Sequence, residues 1–214
     1  MTHSLHRFAR EDIFSHEGGE VPWDFVVMVM ACQGQNDDGA EGGLRRALDI
    51  LASRDPINLS DGEGSLFTGE TTQSLRDAMV PTSYVAGVYS DPDDLSDVLE
   101  ELKAADLGLS VVITGDPDDL QRPLSRVDLE AHTVNLSLGT HGDTEKLPRD
   151  EILGMALMCG HGLVAPGYIA AISGDVRKGL LDARAGAEKL AALCTCGIFN
   201  VAVAAALLGR DDGR

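Results

Sequence analysis

The sequence predicts an α/β protein in which a mainly parallel sheet of about four or five strands is covered by helices and followed by a helical C-terminal segment. Short β-branched runs alternate with helix-like segments along most of the chain. From Pro148 onward the strand-like runs stop, and Ala, Leu and Gly dominate. We therefore divide the chain into a polar N-terminal arm at 1–22, a sheet domain at 23–145 and a helical segment at 146–214 that carries the Cys and His loops.

The predicted strands are short apolar segments bounded by polar or Gly-containing turns. The first, Asp24–Ala31, is the continuous run DFVVMVMA, which is typical of a strand buried on both faces and therefore of a parallel sheet. Further strands are predicted at Ser83–Tyr89, Leu109–Thr114 and Ala131–Leu138. The stretch Asp55–Thr72 is rich in Gly, Asp, Ser and Thr. It is predicted to be a long loop with room for a short strand, and loops of this length are often functional.

Two predicted helix starts share a local sequence. The segments SDPDD at 90–94 and GDPDD at 115–119 each follow an apolar strand. Pro suits the first turn of a helix, and Asp there faces the positive end of the helix dipole. The predicted helices are Glu41–Ser53, 90–105, one that opens at 115, Asp150–Met158, Pro166–Lys178, Asp182–Leu193 and Asn200–Leu208.

The chain is strongly acidic, with 35 Asp and Glu against 17 Lys and Arg and a net charge of −18. Phosphate backbones and anionic membrane surfaces would be repelled, so nucleic acid and membranes are not expected partners. The longest apolar run, Phe25–Cys32, is too short to cross a bilayer, and the N-terminal arm lacks an apolar signal core. These features predict a cytoplasmic protein whose four cysteines are reduced thiols.

The strongest candidate site is formed by Cys159, Cys194 and Cys196, with Cys32 as either a fourth ligand or a nucleophile. Each cysteine lies where a predicted strand or helix ends, and glycines flank those in the C-terminal segment. The C-x-C spacing places two thiols close enough to share a metal or to act as a redox pair. We predict that the three C-terminal sulfurs lie within about 7 Å of one another. The alternative is that the cysteines are small apolar core residues.

The donor set suits either an iron–sulfur cluster or zinc. Its spacing matches neither the C-x-x-C knuckles of zinc fingers nor the ferredoxin cysteine run. We favour a [4Fe-4S] or related cluster, with zinc as the alternative, because soft thiolates dominate the set. The segment CTCG at 194–197 resembles the C-G-C-G end of A-type iron–sulfur carrier proteins. That resemblance covers only these residues, has Thr195 in place of Gly, and implies no role for the rest of the chain.

Two histidines are candidates for proton transfer. His161 lies between two glycines, two residues after Cys159, and is a candidate ligand, hydrogen-bond donor to sulfur or proton donor to substrate. His141 and Asp143 follow the last predicted strand and form a candidate acid–base pair, since α/β proteins bind ligands at the carboxyl ends of their strands. Cys32 ends the first strand, so a parallel sheet would place it at the same edge. The alternatives are a capping histidine at 161 and a simple turn at 141–143.

These patterns predict a metal- or iron–sulfur-binding protein. The leading hypothesis is a metalloenzyme that acts on a small polar metabolite through its Cys-ligated centre. The predicted catalytic residues are His161, His141, Asp143 and Cys32, and the predicted cofactor and metal ligands are Cys159, Cys194, Cys196 and Cys32. The alternatives are a non-catalytic carrier of metal or cluster, a redox sensor, and a structural zinc clip. The compatible partners are a small-molecule substrate, an acceptor protein for the metal or cluster, and further copies of the chain.

Overall fold

A computed structural model describes residues 22–136 and 141–210, so nearly all of the predicted N-terminal arm lies outside the described residues. Four strands and eight α-helices are present in these ranges, and none of these helices has the length and apolarity needed to cross a membrane. The strands are β1 Phe25–Met30, β2 Asn58–Ser60, β3 Tyr84–Tyr89 and β4 Ser110–Thr114. The helices are α1 Glu41–Ala52, α2 Thr72–Asp77, α3 Pro92–Ala105, α4 Pro117–Arg126, α5 Asp150–Ala156, α6 Pro166–Arg177, α7 Ala183–Ala191 and α8 Val201–Leu208.

The sheet is antiparallel throughout, so the predicted parallel sheet is wrong. Its strand order is β2-β3-β1-β4, and every neighbouring pair runs in opposite directions. The two units β1-α1-β2 and β3-α3-β4 each join strands that run in the same direction, but another strand lies between the joined strands. This is the split β-α-β arrangement of ferredoxin-like folds, a topology that hosts many functions. Alternation of strands and helices along the chain fits both topologies, which is why the sequence pattern did not distinguish them.

The continuous apolar sequence of β1 results from burial on both faces of an antiparallel sheet. Phe25, Val27 and Val29 point into one core, formed mainly with α1, α2 and α3. Val26 and Met28 point into a second core on the opposite face. All five are at most 3% exposed. This pattern predicts a parallel sheet, but two helical layers around an antiparallel sheet bury β1 equally well.

The second core is built by the C-terminal helices. Apolar side chains of α5 to α8 pack against the strand side chains that face away from α1 and α3. Met155, Ile169, Leu190 and Val201 are at most 1% exposed. The predicted helical character of this segment is confirmed, and its helices form a layer on the sheet.

Two helix starts follow the repeated acidic motif, as predicted. Asp91 accepts hydrogen bonds from the backbone N–H groups of Asp93 and Asp94 at the start of α3. Asp116 accepts one from the N–H of Asp118 at the start of α4. Both helices have Pro in the first turn, and these caps satisfy N–H groups that lack partners within the helix.

The predicted strand at Ala131–Leu138 is wrong over its described part. Residues 131–136 form no strand and are exposed, and 137–138 lie outside the described residues. Val134 and Leu136 are 65% and 70% exposed, so their alternation with polar residues does not reflect burial against a sheet. The sheet instead ends at β4, which pairs with β1 and leaves Val111 and Val112 partly exposed.

Asn200 fastens the C-terminal layer to the sheet. Its Oδ1 accepts hydrogen bonds from the N–H groups of Ala202 and Val203 and so caps α8. Its Nδ2 donates to the Asp24 carboxylate at 2.9 Å and to the Ser90 hydroxyl at 3.0 Å, beside the start of β1 and the end of β3. The side chain is fully buried. The Asn200 amide therefore satisfies the free N–H groups at the start of α8 and joins this helix to β1 and β3.

We expect Asn200→Ala to lower the free energy of unfolding by about 3 kcal/mol, because it removes a helix cap and leaves buried polar groups unsatisfied. Asp182→Ala is the matched control. Asp182 caps α7 through the N–H groups of Arg184 and Ala185 but makes this contact at the surface, so its loss should cost about 1 kcal/mol. Urea unfolding of both variants measures the difference. Equal effects would show that Asn200 acts only as a cap.

Candidate metal centre

Two loops of the C-terminal layer bring the site together. Cys159 and His161 lie in the turn between α5 and α6, and Cys194 and Cys196 lie in the turn between α7 and α8. The first turn is closed by a hydrogen bond from Gly160 N–H to the Leu157 carbonyl, and the second by one from Gly197 N–H to the Cys194 carbonyl. Gly160 and Gly197 have φ angles of +77° and +67°, a region that glycine enters without strain. Tight turns therefore present both pairs of side chains to each other.

The ligand atoms of Cys159, His161 and Cys196 all lie within 4.8 Å of one another. The Cys194 sulfur lies 3.2 Å from the Cys196 sulfur and hydrogen-bonds to Cys159. The predicted gathering of three cysteines is thus present, with His161 beside them. The three cysteines are at most 5% exposed, whereas His161 is exposed. The group consequently has a buried sulfur side and one side that faces solvent.

The three thiols share protons unequally. Hydrogen bonds from Cys194 and Cys196, with a smaller contribution from His161, lower the pKa of the Cys159 thiol despite its burial. Cys159 accepts these hydrogen bonds, so the pKa of Cys194 is raised, and that of Cys196 is raised to about 11. The hydrogen bonding therefore favours the thiolate form at Cys159 over its two neighbours. A bound cation would displace the protons that these thiols retain.

The sheet forms one wall of the site at the end where β2 stops and β3 begins. A Cβ atom on Gly197 would lie 2.7 Å from Ser60 Oγ and 2.8 Å from Ser65 Cβ. Both serines are fully buried, and Ser65 Oγ has no hydrogen-bond partner within the described ranges. Sequence reasoning missed these residues. Both serines lie in the Asp55–Thr72 stretch, and the length of this stretch was the one sequence feature that indicated a functional role for them.

Tyr84 is a third residue that sequence reasoning missed. It begins β3, pairs with Met30 and packs against the core of the C-terminal layer. Burial raises the pKa of its phenol, with smaller contributions from the nearby Cys196 and Cys194. The side chain therefore stays neutral beside the thiols. Its sequence context, a strand residue among apolar neighbours, gives no sign of this position.

Cys32 lies outside the Cys159–His161–Cys196 group among the described residues. It follows β1 and is exposed. It begins a turn in which its carbonyl accepts hydrogen bonds from the N–H groups of Gln35 and Asn36. Its backbone N–H donates to the Asn36 side chain at 2.6 Å. The turn is thus satisfied by its own backbone and side-chain contacts, and a ligand or nucleophile role for Cys32 stays a prediction.

The basis for placing His141 beside Cys32 does not hold in this fold. That expectation needed a parallel sheet with a strand at 131–138, and the structure has an antiparallel sheet without strand structure over 131–136. His141 and Asp143 are exposed, and the Asp143 carboxylate lies 2.7 Å from the Lys146 ammonium. Their catalytic role stays a prediction without the geometric support of a shared strand edge.

Comparisons of the chain with protein-family models, with curated proteins and with solved structures found no match. The geometry of the Cys and His group is therefore the basis for inferring a function.

We expect Gly197→Ala to destabilise the protein and weaken any metal binding, because the added methyl group overlaps Ser60 and Ser65. Gly162→Ala is the matched control. Gly162 has a similar φ of +65° but open space around its Cα, so it should show only backbone strain of about 1 kcal/mol. Urea unfolding and zinc titration compare the two variants. Equal losses would show that the contact with the serines does not matter.

Proposed function

We propose that this protein binds a single zinc-type ion through Cys159, Cys194, Cys196 and His161, and that the ion joins two loops of the C-terminal layer. The observation that carries this proposal is the convergence of Cys159, His161 and Cys196 ligand atoms within 4.8 Å, with the Cys194 sulfur 3.2 Å from that of Cys196. Three thiolates and one imidazole make a Cys₃His set, which is characteristic of structural zinc sites.

The spacing of the sulfurs favours one ion over a cluster. Tetrahedral zinc with Zn–S bonds of about 2.3 Å holds two ligand sulfurs about 3.8 Å apart. In a [4Fe-4S] cluster each cysteine binds a different iron, so the sulfurs are held farther apart than on a single ion. The 3.2 Å between the Cys194 and Cys196 sulfurs and the upper bound of 4.8 Å between the Cys159 and Cys196 sulfurs are both short enough for ligands of a single ion. We therefore favour zinc, although the donor types alone favoured a [4Fe-4S] cluster.

Burial of the sulfurs favours a resident ion over a carried one. A carrier must pass its metal to an acceptor protein and so needs exposed thiolates, whereas these thiols are at most 5% exposed. A four-ligand set also leaves no open position on a tetrahedral ion. The ion would link Cys159 and His161, after α5, to Cys194 and Cys196, before α8. Its binding energy would then contribute to the stability of this layer.

The purified protein is expected to contain one zinc ion per chain by elemental analysis, and Co²⁺ substitution should give the absorption bands of a thiolate-rich tetrahedral site. Replacing Cys159, Cys194 or Cys196 with Ser should lower metal affinity by more than about 100-fold, because each removes a direct ligand. Cys32→Ser, a matched change at an exposed cysteine, should leave affinity unchanged.

Three results would contradict the proposal. Iron and acid-labile sulfide, with broad absorption in the visible range, would indicate a cluster. Equal losses of affinity in Cys32→Ser and Cys196→Ser would mean that the site lies elsewhere. A protein that binds no thiophilic metal when prepared without oxygen would show that the cysteines do not form a metal site.

A second candidate function is a metalloenzyme that acts on a small polar metabolite. It is favoured by the exposure of His161, since the three cysteines of the group are buried and the imidazole is exposed. If His161 does not bind the ion, a water or substrate could occupy the fourth position, as in catalytic zinc sites. His161 would then be available for proton transfer.

Exogenous ligands distinguish the structural ion from the catalytic one. For the structural ion, azide or imidazole should leave the Co²⁺ spectrum of the wild-type protein unchanged, because all four positions are filled. His161→Ala should open one position and make the spectrum respond to both ligands. A spectral response already present in the wild-type protein would favour the enzyme.

A further inference from the structure

The sulfurs of Cys194 and Cys196 are close enough for redox chemistry with little movement. They lie 3.2 Å apart as free thiols, and a disulfide bond requires about 2.05 Å. Closing this gap requires a shift of a little over 1 Å, shared between two side chains on one turn. The turn contains Gly197 at positive φ, which gives its backbone conformational freedom.

The position of the pair in the chain gives such a bond a specific consequence. Cys194 and Cys196 belong to one loop, whereas Cys159 and His161 belong to the other. A disulfide between Cys194 and Cys196 would remove two ligands from a bound ion and leave only Cys159 and His161. The disulfide would not replace the ion as a link between the two loops, because both of its sulfurs belong to the loop between α7 and α8.

We propose that the Cys194–Cys196 pair is a redox centre that reduces hydroperoxides and, on oxidation, releases the metal and separates the two loops. This inference rests on the proposed metal site for the release step, while the disulfide itself needs only the thiol pair. Small hydroperoxides are the substrate class that fits, because the sulfurs are buried, which excludes bulky oxidants, and the neighbouring His161 is exposed.

The reaction balances with one hydroperoxide. One of the two thiols loses its proton to solvent and attacks the peroxide oxygen as a thiolate, the O–O bond breaks, and a sulfenic acid and an alcohol (or water) form with uptake of one proton. The second thiol likewise loses its proton and attacks the oxidised sulfur, the S–S bond forms, and water leaves with uptake of a second proton. The two sulfurs lose two electrons in total, and the peroxide gains them. A phosphine or dithiol reductant reverses the disulfide and restores both ligands.

The test uses the full chain with Cys32→Ser, which removes the exposed thiol. Zinc content is measured first, and hydrogen peroxide is then added while a chromophoric chelator reports released zinc. We expect about one equivalent of zinc to be released, and reduction followed by zinc addition to restore binding. Trypsin cleavage after Lys189 and Arg210 yields one peptide, 190–210, that contains both cysteines. This peptide should lose two hydrogens on oxidation.

The metal-free protein keeps the two proposals separable. If the wild-type chain binds no zinc, the proposed function fails, yet peroxide should still remove two hydrogens from peptide 190–210. Cys194→Ser in the metal-free state should abolish this mass change, whereas Cys159→Ser should retain it. A disulfide that joins Cys159 to this peptide would overturn the proposed pair. Retention of both thiols after excess peroxide would overturn the redox centre altogether.

Discussion

The burial of β1 on both faces is the constraint on which the rest of the structure depends. Alternate side chains of this strand belong to two separate cores. A split β-α-β unit places α1 and α3 on one face only, so the second face requires another apolar layer. Helices α5 to α8 supply it, and Asn200 fixes the start of α8 against the two central strands. The α5–α6 and α7–α8 turns then meet at the end of the sheet where β2 stops and β3 begins, and the Cys and His group lies in those two turns.

Local elements could be predicted from the sequence more reliably than strand direction. The strands at β1, β3 and β4 and the acidic starts of α3 and α4 follow from short-range patterns, because apolar runs and N-caps depend on neighbouring residues. The direction of the sheet depends on which strands pair across the chain. Both the parallel and the split arrangement satisfy the same alternation, so no local signal separates them. The segment 131–136 shows the same limit. Its apolar and polar residues alternate as in a strand, yet all of them are exposed and none pairs with the sheet.

The candidate site shows a similar division between local and long-range information. The convergence of Cys159 with Cys194 and Cys196 was predictable, because these cysteines follow the ends of helices and Gly160 and Gly197 mark the tight turns that contain them. The contact of Gly197 with Ser60 and Ser65 was not, since it joins segments more than 130 residues apart in the sequence. The spacing of the sulfurs also required coordinates, and it moved the favoured cofactor from a cluster to a single ion.

The order of the two layers along the chain has a consequence for biosynthesis. All four strands and the helices of the first layer precede α5, so a ribosome completes the sheet before it begins the layer that covers the second face. During that interval the side of β1 and β3 that carries Val26, Met28, Ala86 and Val88 faces water. An apolar surface exposed in a nascent chain is a binding site for chaperones and a risk for aggregation. The native state is therefore completed only after translation has reached α8.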